Sequence, residues 1–175
     1  MDVHIELYDR SYFAEVSVFW AEINRQLAPD DLRDAFEKYI ENSINDELAH
    51  ADDAYPIVDG SALWVVLLSQ NVIGTFGLQR VNNTDVELRR MYLASEYRGQ
   101  GLSGKMLAHA EQHSQQQGFK RIILSTAELQ AAAVKFYDKS GYELTKIETA
   151  EAMSNKTIGG NIRRRHYQKM LNVTD

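Results

Sequence analysis

Apolar residues along this chain recur with two periods, and the period changes from segment to segment. Residues 3–8 alternate between apolar and polar, which predicts a short strand. Phe13, Val16, Trp20, Ile23 and Leu27 then recur at spacings of three and four, the stripe of an amphipathic helix. Pro29-Asp30-Asp31 interrupts that stripe and suits a new helix start. Leu32, Phe36, Tyr39, Ile40, Ile44 and Leu48 continue as a second stripe, and both stripes read as core faces. Residues 63–68 and 72–81 predict two strands joined by a hairpin at Ser69-Gln70-Asn71. Gly74 and Gly77 within the second strand mark a bulge or a close backbone contact.

The next strand carries an irregularity. Val86 and Leu88 are apolar at even positions, whereas Met91 and Leu93 are apolar at odd ones. Strict alternation sends the two pairs to opposite faces, and one extra residue returns them to a common face. The sequence therefore predicts a β-bulge near residues 89–91, the other reading being a regular strand buried on both faces. Leu102, Met106 and Ala110 give the following helix an inward face, and Gly118 ends it. Ile122-Ile123-Leu124 suits a strand covered on both sides, within a βαβ unit. Residues 142–147 and 165–171 read as the last strands. Between them, residues 150–160 are small and polar, with a Gly159-Gly160 turn, and read as a mobile connection. No repeat or boundary interrupts residues 1–175, so a single domain is expected.

Candidate chemistry concentrates between the irregular strand and the helix after it, at Arg98-Gly99-Gln100-Gly101-Leu102-Ser103-Gly104. Free amides at a helix start, the helix dipole and glycines that admit close approach together make an anion site. Read literally, Gly99-x-Gly101-x-x-Gly104 is the dinucleotide fingerprint of oxidoreductases. That fingerprint needs an apolar strand running almost directly into its first glycine, and here Ser95, Glu96, Tyr97 and Arg98 intervene. The segment also resembles the pyrophosphate loop of the GNAT acetyltransferases, Gln/Arg-x-x-Gly-x-Gly/Ala, departing from it only at Ser103. Val86-Glu87-Leu88-Arg89-Arg90-Met91-Tyr92-Leu93 resembles the fourth strand of that family, and Arg121-Ile122-Ile123-Leu124-Ser125-Thr126 its fifth. Ala133-Val134-Lys135-Phe136-Tyr137-Asp138-Lys139-Ser140-Gly141-Tyr142 resembles the helix and turn that follow.

The resemblance implies an α/β fold with a mixed, mostly antiparallel sheet of six to seven strands. That sheet is splayed in a V between strands 4 and 5, with helices on both faces. It implies an N-acetyltransferase that moves an acetyl group from acetyl-CoA to a primary amine by direct attack in a ternary complex. Arg98, Gly99, Gln100, Gly101, Leu102, Ser103 and Gly104 would hold the pyrophosphate, while Met91, Tyr92 and Leu93 border the gap that pantetheine threads. Gln130, seven residues before Tyr137, stands where the family often has an Asn on the cofactor; it reads equally well as a plain helix N-terminal residue. Glu87, 11 residues before Arg98, has the spacing of the family's strand-borne base. A carboxylate's ordinary pKa of roughly 4.3 makes it a weak base for an ammonium, so that role calls for partial burial or a relaying water. The other reading of Glu87 is an exposed carboxylate paired with a neighbouring arginine. Tyr137 is the candidate acid at the departing sulfur, its other reading being an aromatic packed beside Phe136. The oxyanion would be met by a backbone N–H at the bulge.

Composition narrows the remaining classes. The net charge of −6 argues against a sequence-independent nucleic-acid binder. Arg163-Arg164-Arg165-His166 is the one basic cluster and reads as a solvated strand start, or as a contact for a phosphate or partner. The chain has no cysteine, so disulfides, thiolate metal ligands and a cysteine nucleophile are excluded. His109 and His113 are four apart on one helix, yet nothing completes a metal site around them, and no metal is assigned. No apolar run reaches the roughly 20 residues of a membrane span, and the first residues lack a secretory pattern, so a cytoplasmic enzyme is the expectation. The acceptor is not named by any motif, and a homodimer is compatible with the sequence. A non-catalytic acyl-CoA-binding module is the reading from a different class.

Overall fold

The computed structural model describes residues 2–172. Seven strands form one sheet in the order β1-β2-β3-β4-β5-β7-β6. They are β1 (Val3–Leu7), β2 (Ala62–Leu68), β3 (Asn71–Arg80), β4 (Asp85–Leu93), β5 (Arg121–Ala127), β6 (Glu143–Ala150) and β7 (Ile162–Met170). Every neighbouring pair is antiparallel except β4 and β5. This is the mixed sheet that the resemblance implied, and not the doubly wound parallel sheet that a dinucleotide fingerprint requires. The β2–β3 hairpin is tighter than expected. Only Ser69 and Gln70 lie between the strands, both at positive φ, 50° and 71°.

Among the described residues five α-helices accompany the sheet: α1 (Phe13–Leu27), α2 (Arg33–Asn42), α3 (Ala51–Ala54), α4 (Leu102–Gln116) and α5 (Ala131–Lys139). The period-two pattern of the strands distributes their side chains between two faces. Leu102, Met106 and Ala110 of α4 and Tyr137 of α5 share a core with Val86, Leu88, Ile122, Leu124 and Tyr167. On the opposite face, Val16, Trp20 and Ile23 of α1 pack on Leu63, Val65 and Leu67. Phe36 and Tyr39 of α2 meet Ala127, Ile158 and Ile162. His109 and His113 lie edge-on to Trp64, with ring centroids 5.2 and 4.9 Å away, and burial lowers the pKa of His109.

Two irregularities in β4 open the sheet. Its parallel ladder with β5 runs only through Asp85↔Arg121, Val86↔Ile122 and Glu87↔Ile123, so the strands part after Glu87. On its other side, Gly77 pairs with Arg89 and Thr75 with Tyr92, leaving Phe76 opposite both Arg90 and Met91. This is the β-bulge that the change of parity predicted. It returns Met91 and Leu93 to the face that holds Val86 and Leu88.

Arg90 occupies the bulge at φ 51°, a left-handed conformation that costs a non-glycine residue about 1–3 kcal/mol. Its side chain is almost wholly buried. Nε donates to Glu47 Oε1 at 2.9 Å, one terminal nitrogen donates to Glu47 Oε2 at 2.5 Å, and the other donates to the Tyr39 hydroxyl at 2.8 Å. The guanidinium also lies over Trp20 and Tyr39, at 4.9 and 5.4 Å from the ring centroids. Helix α2 does not continue as the apolar stripe suggested. A π-helical turn over Ser43–Glu47 follows it, and Glu47 at the end of that turn is buried. Tyr55 then donates to Glu47 Oε1 at 2.5 Å, its ring crossing β3 at Gly77, where a Cβ would stand 2.6 Å from the ring.

Burial by itself would raise the Glu47 pKa, but the hydrogen bonds and charge of Arg90, with Arg89 and Tyr55, hold it below 4.5. A depressed folded-state pKa contributes stability above pH 4.5 that is lost as pH falls through the folded value. Glu47→Gln is therefore expected to cost about 3–5 kcal/mol at neutral pH, because it leaves a buried guanidinium without its counter-charge. Urea titrations should show a smaller deficit in the variant as the pH is lowered below 4.5; a constant deficit contradicts the pairing.

Candidate functional site

The parting of β4 and β5 leaves an open cleft, about 870 Å³ of empty space with the solvent at its mouth included. It passes through the sheet. Leu88, Leu124 and Tyr137 line it from the α4–α5 side, while Glu87, Phe36, Tyr39, Lys156 and Arg164 line it from the α1–α2 side. Strand alternation decides which backbone groups turn into the gap. The N–H of Ala94 donates to the Ile73 carbonyl of β3 at 2.9 Å, so Met91 and Leu93 present their backbone groups away from β3. The Leu93 carbonyl is already taken by Arg98 Nε at 2.9 Å. By that alternation the Met91 N–H and C=O and the Leu93 N–H turn to the side from which β5 has parted, and Met91 lines the cleft.

The structure brings Glu87, Met91, Tyr92, Gln130 and Tyr137 together around this cleft. Glu87 is buried on β4, and both its oxygens accept from Lys156 Nζ, at 2.8 and 2.7 Å. The alternative reading, an exposed carboxylate paired with a neighbouring arginine, does not hold: Glu87 is buried and its partner is a lysine 69 residues away. Tyr137 is buried on α5, packed on Tyr142 and Tyr167, while Phe136 is only partly buried. Its hydroxyl reaches across the gap to Met91 Sδ at 3.5 Å. Burial raises the phenol pKa well above its ordinary value, so the hydroxyl stays protonated through the neutral and mildly alkaline range. Gln130 stands just ahead of α5 with its Oε1 accepting from Thr126 Oγ1 at 3.4 Å.

Residues 98–104 do not line the cleft. They follow β4 after a 3₁₀ turn (Ser95–Tyr97) and lead into α4. Gly99 and Gly101 take φ of 74° and 81°, which only glycine adopts without strain. Among the described residues, no acceptor meets the backbone N–H groups of residues 99–104. A Cβ built on Gly99, Gly101 or Gly104 meets nothing within 4 Å. Outward amides at the start of a 15-residue helix fit a diphosphate. The Gln100 side chain turns back to the Glu96 carbonyl at 2.9 Å, so the chain offers the anion backbone rather than side-chain groups there.

Several residues at the cleft were not singled out from sequence. Residues 150–160, read from sequence as a mobile connection, are anchored at several points. The Asn155 carbonyl accepts from Arg89 at 2.6 Å, Lys156 caps Glu87, and Thr157 and Ile158 are buried. The basic cluster is likewise split. Arg163 and Arg165 pair with Glu128 at 3.4 and 3.1 Å, but Arg164 turns inward and lines the cleft. The signal was present in the alternation. Arg164 lies on the opposite face from Tyr167, and Tyr167 belongs to the core beneath α4 and α5.

The model of a family described as Acetyltransferase (GNAT) family matches residues 25–142. A probable N-acetyltransferase camello from Xenopus laevis is 25% identical over 123 residues, covering 69% of this chain and 56% of that protein. The chain spans about half the length of the curated relatives it matches. A GNAT-family acetyltransferase from Staphylococcus aureus Mu50 superposes with a TM-score of 0.74 at 22% identity, covering 98% of this chain and 100% of that one. The PaiA N-acetyltransferase from Thermoplasma acidophilum, solved in complex with coenzyme A, superposes with a TM-score of 0.74 at 16% identity, over 97% and 100%. These structural likenesses carry the fold. The described residues contain no helix long and apolar enough to cross a membrane.

Replacing Gly101 by Val should weaken coenzyme A binding at least tenfold, measured by calorimetry, while the far-ultraviolet spectrum stays native. A side chain at that φ shifts the amides out of register even where space is open. Unchanged affinity would remove the loop from the binding site.

Proposed function

Since the chain belongs to the Acetyltransferase (GNAT) family, we propose that it transfers an acetyl group from acetyl-CoA to a primary amine by direct attack in a ternary complex. The observation that carries this reading is the ammonium of Lys156, held against both oxygens of Glu87 in the split of the sheet. An acceptor ammonium docked in the same place lies beside a carboxylate and within the cleft that Tyr137 and the bulge share.

The thioester supplies an acyl group whose carbonyl carbon accepts the amine nitrogen as the carbon–sulfur bond breaks. Each further role falls to a group of this chain. Glu87 orients the incoming ammonium and receives its proton, directly or through one water, freeing the nitrogen lone pair. Lys156 yields its place by swinging outward, a movement open to it because 43% of its side chain is exposed. The Met91 N–H faces the gap, where it supports negative charge developing on the carbonyl oxygen. Tyr137 donates a hydrogen bond to the leaving sulfur. Its buried phenol is too weak an acid to give its proton outright to a thiolate whose thiol has a pKa of roughly 8–9. The loop at residues 99–104 holds the diphosphate and fixes the length of chain that reaches into the split.

Two substitutions test the assignment. Glu87→Gln should lower kcat by about 10²–10⁴-fold and Tyr137→Phe by about tenfold, each with acetyl-CoA affinity within twofold of the parent. Since the Tyr137 phenol stays protonated, the Tyr137→Phe deficit should be constant from about pH 7 to 9. Undiminished turnover in both variants overturns these roles, and binding of acetyl-CoA without turnover of any amine by the parent protein favours a non-catalytic acyl-CoA module.

A further inference from the structure

Charges around the cleft do not balance. Arg89 and Arg90 share Glu47, and Lys156 is matched by Glu87. Arg164 is 9% exposed and pairs with no carboxylate within 4.0 Å among the described residues. Its one hydrogen bond runs from a terminal nitrogen to Ser125 Oγ at 2.8 Å. The nearest cross-strand acid, Glu148, is directly opposite Arg164 in the β6–β7 ladder, but its oxygens accept from His166 at 2.6 Å and Lys146 at 2.6 Å. Glu87, the acid among the cleft-lining residues, is bound to Lys156, and it and Glu148 attract Arg164 only from beyond hydrogen-bond range, so a buried guanidinium with donors to spare lines the cleft. Such a group is costly in isolation and strongly favours an anion with two oxygens in a plane.

Strand register places this cation relative to the candidate base. Glu87 pairs with Ile123, and Ser125 lies two residues further along β5 on the same face. Arg164, opposite Ala127, leans back to Ser125. Two residues along the strand (~7 Å) and one strand across (~5 Å) separate the Glu87 and Ser125 backbone positions by about 9 Å. The ammonium and carboxylate of an amino acid lie about 3 Å apart, and a hydrogen bond of about 3 Å at each end gives the molecule a reach of that order.

We propose that Arg164, with the Ser125 hydroxyl beside it, is a carboxylate subsite, and that the acceptor is an amine bearing a carboxylate, of the amino-acid class. This rests on the acetyl-transfer reading and names the substrate of that same site. The ammonium displaces Lys156 from Glu87, the carboxylate docks on the Arg164 fork, and the product is the N-acetyl acid plus free coenzyme A, one proton being released. An amine without an acidic group leaves Arg164 unmatched and binds poorly.

The test follows thiol release from acetyl-CoA with the twenty α-amino acids, β-alanine and 4-aminobutyrate. Comparison compounds are the corresponding amides, the decarboxylated amines and O-phosphoethanolamine. The best acceptor should carry a carboxylate and lose at least thirtyfold in kcat/KM when it is converted to the amide. In Arg164→Gln the acid-to-amide ratio should fall to about one, and Arg164→Lys should restore part of it. A best acceptor without a carboxylate, a phosphate-bearing amine that outperforms every acid, or a ratio unmoved by Arg164→Gln each overturns the subsite while leaving acetyl transfer intact. If no amine releases coenzyme A, acetyl transfer itself fails. Calorimetry with N-acetyl amino acids on the coenzyme A-loaded protein then decides the subsite: saturable binding lost in Arg164→Gln upholds it, and absent or unaffected binding overturns it.

Discussion

Arg90 stands in a backbone conformation that an L residue keeps only where its surroundings compel it, and the compulsion here comes from its own side chain. Glu47 grips the guanidinium through two hydrogen bonds, and the rings of Trp20 and Tyr39 flank it. Thr75 completes the hold on the backbone side, its hydroxyl donating to the Arg90 carbonyl at 2.9 Å while accepting from Trp20 Nε1 at 3.0 Å. A buried pair of this kind adds little net stability, since both ions were well solvated before folding. What it contributes is position. With Arg90 held, β4 must carry one residue more than β3, and the added twist turns its second half away from β5.

That single deviation creates both halves of the site. Once β4 has left β5, the backbone groups of Met91 and Leu93 have no strand to pair with, and the gap is wide enough for Tyr137 to approach Met91 from the far side. The ladder nevertheless persists up to Glu87, which keeps the carboxylate at the apex of the split rather than on a loose edge. Polar groups then gather on one face because the register demands it: Glu87, Arg89, Ser125 and Arg164 all project toward α2. The apolar alternates, Val86, Leu88, Ile122 and Leu124, project toward α4. The cleft is thus polar on the α2 side and apolar where α4 and α5 pack.

The order of strands around the loop, the bulge and the two-sided cover were legible in the sequence because each leaves a local mark. A parity change between Leu88 and Met91 is visible in eight residues, and glycines before an apolar helix face are visible in seven. Glu47 was not legible. It falls on a helical stripe that otherwise reads as apolar core, and nothing local names its partner Arg90, 43 residues away. Lys156 and Arg164 were hidden for another reason. Their partners are 69 and 39 residues away, across strand pairings that no local pattern specifies. A cluster of three arginines looks uniformly solvated until the register of β7 assigns the outer two to Glu128 and the middle one to the cleft.

The segment that reads as a loose connection has a double attachment that bears on how an acceptor enters. Its Asn155 carbonyl is fixed to Arg89, and through Arg89 to the ion pairs that hold the bulge. Its neighbour Lys156 holds Glu87 by the end of a long, partly exposed side chain. Exchanging the Lys156 ammonium for an acceptor ammonium therefore needs only side-chain rotation, with the backbone anchor undisturbed. The exchange is also nearly neutral in charge at Glu87, so Coulomb attraction to that carboxylate alone gives an acceptor little advantage over the resident lysine. Under the proposed reading, discrimination comes from groups that Lys156 does not satisfy, and the buried cation at Arg164 is such a group.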